Sequence, residues 1–166
     1  MAKYIINTFP QDKFTFRMYH NTKKKTWQQI KAETGCYGII NTAYFNMSTY
    51  VVDSNTMVGG KWIYGPDYAE YGICVNKKGY LTIDYNQNAT YDYTAGLPVC
   101  YINGKKYFAY QDKAKNGCSF IGTTANNDVC CLIASKDDGL TTAQCCDLLL
   151  KRGCVNILRY DGSWSS

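Results

Sequence analysis

Thr141-Thr142-Ala143-Gln144-Cys145-Cys146-Asp147-Leu148-Leu149-Leu150-Lys151-Arg152-Gly153-Cys154-Val155-Asn156-Ile157-Leu158-Arg159-Tyr160-Asp161 spells out a helix, a stop and a strand. Thr141 and Gln144 form a Thr-x-x-Gln capping box, and Gly153 stands where a left-handed C-terminal cap belongs, so a helix is expected over about Thr141–Arg152. Cys145, Leu148 and Leu149, with Cys154 just beyond, suit one buried face. An apolar strand over Val155–Tyr160 then ends in polar residues. Upstream the same order recurs: Thr26 and Gln29 box a helix over about Thr26–Thr34, Gly35 stops it, and Cys36 leads into a strand at Tyr37–Asn41. Two helix–strand units that carry polar residues past strand ends are how α/β sheets build sites. Ordinary loop polarity remains the alternative at this stage.

Elsewhere, segments rich in β-branched and aromatic residues predict strands at about Lys3–Phe9, Phe14–His20, Tyr71–Asn76, Tyr80–Asp84, Val99–Ile102, Lys106–Tyr110, Ser119–Thr124 and Asp128–Ala134. Asn76-Lys77-Lys78-Gly79 and Asn103-Gly104 are hairpin turns. The expected fold class is α+β, a mixed, mostly antiparallel sheet with two main helices, in a single domain over residues 1–166.

Hydrophobic residues make up 46% of the chain and charged residues 19%, a globular balance with no linker or charge block. The apolar runs fall far short of the ~20 residues a membrane span needs, and the opening Met1–Asn7 does not read as a signal peptide. Nine cysteines, an odd number without CxxC spacing and with one histidine in the chain, read as free, mostly buried thiols of a reducing compartment. A cytoplasmic setting follows, in which the sequons at Asn46 and Asn88 have no use. The net charge of +5 suits an anionic small-molecule substrate. Lys23-Lys24-Lys25 reads as a solvated turn rather than a surface for long nucleic acid. No membrane partner is expected, and a homo-oligomer stays open. No spacing of His, Asp and Glu suggests a metal site, and no cofactor is expected.

Two polar clusters could carry chemistry. In Asn41-Thr42-Ala43-Tyr44-Phe45-Asn46, Asn41 and Asn46 can hydrogen-bond a sugar or phosphate and Tyr44 can stack; a β-turn with a packed aromatic is the plainer reading. In Arg159-Tyr160-Asp161-Gly162-Ser163-Trp164-Ser165-Ser166, the serines can build an anion-binding nest and Trp164 a stacking wall.

These residues carry a resemblance. Asn41-Thr42-Ala43-Tyr44-Phe45 resembles the Asn-Gly-Gly-(aromatic)-Phe motif of the phosphodiester glycosidase family, the family of the uncovering enzyme that removes N-acetylglucosamine from a mannose phosphodiester. Asp161-Gly162-Ser163-Trp164-Ser165-Ser166 is similar to its Asp-Gly-Gly-Gly-Ser-Ser motif. Ser119-Phe120-Ile121-Gly122 matches its (Ser/Thr)-Ala-Ile-Gly strand, and Asp138-Gly139-Leu140-Thr141 followed by a helix matches its layout. Three departures stand out. Cys118 occupies the position of the family's arginine, Gly162-Ser163-Trp164 replaces a glycine triplet, and the sequence ends where relatives continue into another strand.

The resemblance implies a hydrolase that cleaves a sugar–phosphate bond. Asp161 would be the central catalytic residue, with His20 or Glu70 as candidates for a second ionisable group. A lone histidine is more often structural, and a carboxylate such as Glu70 more often lies at the surface. Asn41, Tyr44, Asn46, Ser119, Arg159, Ser163, Trp164 and Ser165 are the candidate substrate contacts. Two further readings stand beside the glycosidase: a phage or bacterial enzyme degrading nucleotide signals such as cyclic dinucleotides, and a non-catalytic protein that sequesters a phosphorylated ligand.

Overall fold

The structure, a computed structural model, describes residues 4–46, 48–49, 51–107, 117–135 and 139–160. In chain order its elements are β1 (Tyr4–Phe9), α1 (Trp27–Thr34), β2 (Thr56–Val58), β3 (Lys61–Tyr64), β4 (Tyr71–Val75), β5 (Leu81–Tyr85), β6 (Asp92–Ala95), β7 (Val99–Ile102), β8 (Lys105–Lys106), β9 (Cys118–Thr124), β10 (Val129–Ala134), α2 (Thr142–Lys151) and β11 (Cys154–Tyr160). They form a six-stranded sheet in the order β1-β10-β9-β11-β7-β8 and a five-stranded sheet in the order β3-β2-β6-β4-β5. Every pairing between these strands is antiparallel. The α+β class with two helices is therefore present, with the strands divided between two sheets.

Three layers follow from the alternation of side chains. On β9 and β10, Cys118, Phe120, Cys130, Leu132 and Ala134 face α2, where they meet Cys145, Cys146 and Leu149. Ile121, Val129, Leu158 and Tyr160 point the other way and pack against Ile73, Val75 and Leu81 of the second sheet. β9 is buried on both faces, which accounts for its unbroken run of short and apolar residues. Each fully buried Leu, Ile or Phe here contributes about 1.5–3 kcal/mol. On its far face the second sheet keeps a smaller cluster of Met57, Cys74, Tyr93 and Ala95.

Both capping boxes form as expected. Thr26 accepts from the Gln29 N–H and Thr141 from the Gln144 N–H, each glutamine reaching back to the cap backbone. Gly35 takes the left-handed conformation that ends α1 (φ 66°). Asn103 and Gly104 turn the β7–β8 hairpin, both at positive φ.

Two expected strands are not strands. Over residues 14–20 the backbone is spent elsewhere: the Phe16 N–H donates to the Gly79 carbonyl (2.9 Å) and the Met18 N–H to Asp92 Oδ2 (3.1 Å). Residues 37–41 are likewise not strand. Both edges of β9 and both edges of β11 are already taken in the six-stranded sheet, so the segment has no interior ladder to join. Conversely β2, β3 and β6 were not expected. The end of the strand expected at Lys106–Tyr110 lies outside the described residues.

Side-chain hydrogen bonds help to link the sheets. Gln11, just after β1, donates to the Leu81 carbonyl (2.7 Å) and the Asn127 carbonyl (2.6 Å) and accepts from the Leu81 N–H (2.6 Å).

Candidate active site

The end of β11 organises the site. Tyr160 and Ser119 are cross-strand partners, Ser119 being 1% and Tyr160 1% exposed. Tyr160 points between the sheets, and its hydroxyl donates to the Thr94 carbonyl at 3.3 Å. Burial pushes this phenol well above its ordinary value of 10.0, so it stays a neutral donor. Its neighbour Arg159 lies on the opposite face, where a guanidinium N–H donates to Thr142 Oγ1 (3.2 Å) at the start of α2. That charge adds to the contact with Cys146 in lowering the Cys100 thiol, whereas contact with Cys118 and burial hold the Cys145 thiol far above its ordinary value despite Arg159. Arg159 thus brings a cation to the side of the sheet that carries Cys118, the position where the resembled motif has its arginine.

The Asn41–Phe45 segment reaches the same end of the molecule. Ile40 packs into the cluster that contains Tyr160. The Tyr44 hydroxyl donates to the Leu97 carbonyl. The next carbonyl, that of Pro98, accepts from the Arg159 N–H at 3.2 Å. A single turn, Leu97–Pro98, therefore holds both Tyr44 and the backbone of Arg159. Sequence reading missed this turn; a proline closely following a glycine, Gly96-Leu97-Pro98, was its signal. Asn46 behaves differently. Its side-chain oxygen accepts from the Ser48 N–H (2.9 Å) and the Thr49 N–H (3.1 Å), so it closes a turn. Asp161, Ser163, Trp164 and Ser165 lie outside the described residues.

The two candidate second groups are set apart. His20 is exposed and follows Met18, which is tied to Asp92, at the Val75 end of β4. Glu70 precedes the other end of β4, beside the Gly96 N–H that donates to the Tyr71 carbonyl (3.2 Å). About 13 Å of strand separates these ends. Glu70 lies on the face of β4 opposite Tyr71 and Ile73, turned away from the sheet interface. Both of its carboxylate oxygens are buried without a hydrogen-bond partner among the described residues. Burial raises its carboxyl above the ordinary 4.5, and the nearby Asn55 and Tyr68 side chains only temper the shift.

A raised carboxyl pKa means that the folded chain binds the proton more tightly than the unfolded chain. Stability therefore falls as pH rises from about 4.5 through the raised value, and the loss is complete above it. Melting curves recorded from pH 4.5 to 8 should show a steeper decline for the wild type than for Glu70→Gln. Parallel profiles would mean that the buried carboxylate has no such effect.

Two other features bear on ligands. Tyr71 stacks on Tyr85 (centroids 4.0 Å apart), with Tyr107 edge-on to Tyr71 at 5.5 Å. A cleft of about 380 Å³ opens on the far face of the small sheet, with Trp62, Tyr68 and Asn86 among its lining residues. It lies on the side away from Ser119 and Tyr160. Among the described residues no three His, Cys, Asp or Glu side chains are placed to share a metal ion. No helix among them is long and apolar enough to cross a membrane.

Two antiparallel sheets, one backed by a helix, with motif segments meeting at the end of one strand, define a recognisable class. The family model NAGPA, phosphodiester glycosidase, matches residues 34–166, and the chain belongs to that family. Among solved structures it is similar to the zebrafish N-acetylglucosamine-1-phosphodiester alpha-N-acetylglucosaminidase catalytic domain auto-inhibited by its pro-peptide. That likeness has a TM-score of 0.63 at 16% identity, over 75% of this chain and 50% of that one. It is also similar to a hypothetical protein from Synechocystis, with a TM-score of 0.59 at 10% identity, over 97% of this chain and 51% of that one. The chain spans about half the length of each. Comparison with curated protein sequences gives no match.

Proposed function

We propose that this chain hydrolyses the bond between a sugar's anomeric carbon and phosphate in a small phosphodiester. The observation that carries the reading is the Leu97–Pro98 turn, which ties Tyr44 and the backbone of Arg159 to the strand end that carries the Ser119–Tyr160 pair, in a member of the phosphodiester glycosidase family. Such a reaction passes through an oxocarbenium-like transition state, and its phosphate leaving group is already stable as an anion. A strong general acid is therefore less necessary than in other glycosidases. The protein has to hold the phosphate, orient a water and stabilise positive charge on the ring. Asp161 takes the last two tasks in this reading. Ser163, Ser165 and nearby amides take the phosphate, Asn41 the sugar hydroxyls, and Tyr44 and Trp164 the ring face. Arg159 adds positive charge. The overall charge of +5 supports an anionic substrate, and nine free thiols support a cytoplasmic setting.

The test is mass-spectrometric turnover of a panel of sugar phosphodiesters in ¹⁸O-labelled water. Cleavage at the anomeric carbon puts the label in the sugar; label in the phosphate instead would overturn the bond assignment. The stacked Tyr71 and Tyr85, edged by Tyr107, favour a second reading in which the substrate is a nucleotide phosphodiester. A nucleotide panel in the same assay decides between the two. Intact ligand throughout, with saturable binding, would point to a sequestering protein.

A further inference from the structure

The cleft on the far face of the small sheet has no role in the reaction proposed above. The β2–β3 hairpin gives it Met57 and Trp62, which are cross-strand partners. The loop between β3 and β4 gives it Asp67 and Tyr68, and the 3₁₀ turn Asn86–Asn88 gives it Asn86 and Gln87. Its volume of about 380 Å³ falls in the range that holds small ligands.

The walls are fixed by their own hydrogen bonds. The Tyr68 carbonyl accepts from Asn86 Nδ2 (2.6 Å) and from Asn55 Nδ2 (3.3 Å). The Asp67 N–H donates to Asn55 Oδ1 (3.2 Å). Two residues on from Tyr68, the Glu70 carbonyl accepts from the Asn86 N–H (3.0 Å) and from the Tyr93 hydroxyl (2.9 Å). Trp62 lies edge-on to the same Tyr93, with ring centroids 5.8 Å apart. A ligand therefore meets a wall that is already ordered, which lowers the entropy cost of binding it.

What this wall offers is acceptors. Asn86 is 3% exposed, and its Oδ1 is buried without a hydrogen-bond partner among the described residues. The amide cannot be turned round, because an oxygen in place of Nδ2 would face the Tyr68 carbonyl. Both carboxylate oxygens of Glu70, the residue after Ala69 of the lining, are likewise buried without a partner. Asp67 adds an exposed carboxylate, and neither acid is in an ion pair among the described residues. No Lys, Arg or His among the described residues lines the cleft, although the chain as a whole carries +5. Phosphates are thus disfavoured here and cations are favoured. Trp62 and Tyr68 add aromatic surface, which also attracts cations.

We propose that the cleft between Trp62, Asp67, Tyr68 and Asn86 is a second ligand site, and that it takes a small molecule bearing a protonated primary amine. The ammonium group donates to the Asp67 carboxylate and to Asn86 Oδ1, and the carbon body lies against Met57, Trp62 and Tyr68. Because Oδ1 is covered from water, the exposed side chain of Gln87 turns aside to admit the donor. A quaternary ammonium has no N–H for Asn86, and a neutral polyol has no charge to meet Asp67.

The test titrates the ¹⁵N-labelled full chain with cyclohexylamine, an ammonium ion at pH 7, and with cyclohexanol as its neutral counterpart. Saturable NMR shifts are expected at the Trp62 indole N–H, the Asn86 side-chain amide and the Tyr68 backbone amide. The ammonium should bind about tenfold more tightly than the alcohol, and added salt should weaken it. Asp67→Asn should weaken binding about threefold and Trp62→Leu about tenfold. Asp67→Asn, at an exposed position, carries the test if Trp62→Leu does not fold. Equal binding of cyclohexanol, tighter binding of tetramethylammonium, or shifts confined to other residues would each overturn the proposal. So would the absence of any saturable shift up to about 20 mM.

Discussion

Asp161→Asn is expected to lower turnover of a sugar phosphodiester by about a thousandfold or more, a loss of the size seen when one preorganised electrostatic group is removed. The substitution keeps the shape of the side chain and removes its negative charge. In the proposed reaction positive charge builds on the sugar ring as the phosphate departs, and water must be held against the developing cation. A carboxylate serves both needs; a neutral amide can still hydrogen-bond water but offers no charge to the ring. The phosphate contacts assigned to the serines are untouched, so KM should change far less than kcat. Turnover and melting temperature measured together separate lost chemistry from lost structure. Undiminished turnover in a folded Asp161→Asn protein would remove Asp161 from the reaction.

The largest expected effect on stability comes from Gly72→Ala. Gly72 lies in β4 between Asp84 of β5 and Ala95 of β6. A Cβ there would sit 2.3 Å from the Thr94 carbonyl oxygen and 2.6 Å from two ring atoms of Tyr93. Neither neighbour can yield. The carbonyl belongs to the adjoining strand, and the Tyr93 ring is 0% exposed with its hydroxyl donating to the Glu70 carbonyl at 2.9 Å. One methyl group must therefore push two strands apart. Overpacking of this kind costs about 3 kcal/mol or more, toward the upper end of the usual range. The melting temperature should fall by roughly 6–12 °C. Urea denaturation of wild type and variant measures the difference, and a change within about 0.5 kcal/mol would mean that the strands accommodate the methyl group.

The helices were legible because their signals are local: a threonine and a glutamine three apart at the start, a glycine at the stop. The buried strands β9, β10 and β11 were legible as apolar runs. β6 was not, because Asp92-Tyr93-Thr94-Ala95 is a strand only by virtue of β2 and β4 on either side. The β2–β3 hairpin did leave a trace in Gly59-Gly60, both at positive φ between apolar flanks. Residues 14–20 misled in the other direction. Phe14, Phe16 and Met18 alternate like a strand, yet their amides go to the Pro10 carbonyl, the Gly79 carbonyl and the Asp92 carboxylate. The motif segments of the site could be read from residue types. Their assembly could not, since Leu97 meets a tyrosine 53 residues upstream. The separation of His20 from Glu70 along β4 was equally invisible, being a matter of which end of a strand each neighbour reaches.

Gln11 gives this architecture a built-in clock. The Leu81 amide hydrogen is held by a side chain reaching in from beside the larger sheet, rather than by a rung of its own ladder. Its neighbours in β5 can trade hydrogen for deuterium whenever the edge strand frays. Leu81 can do so only when Gln11 lets go, a rotation of one half-buried side chain in the turn after β1. Deuterium uptake at that one amide therefore keeps time for the release of Gln11, and uptake along the rest of β5 keeps time for the fraying of the edge.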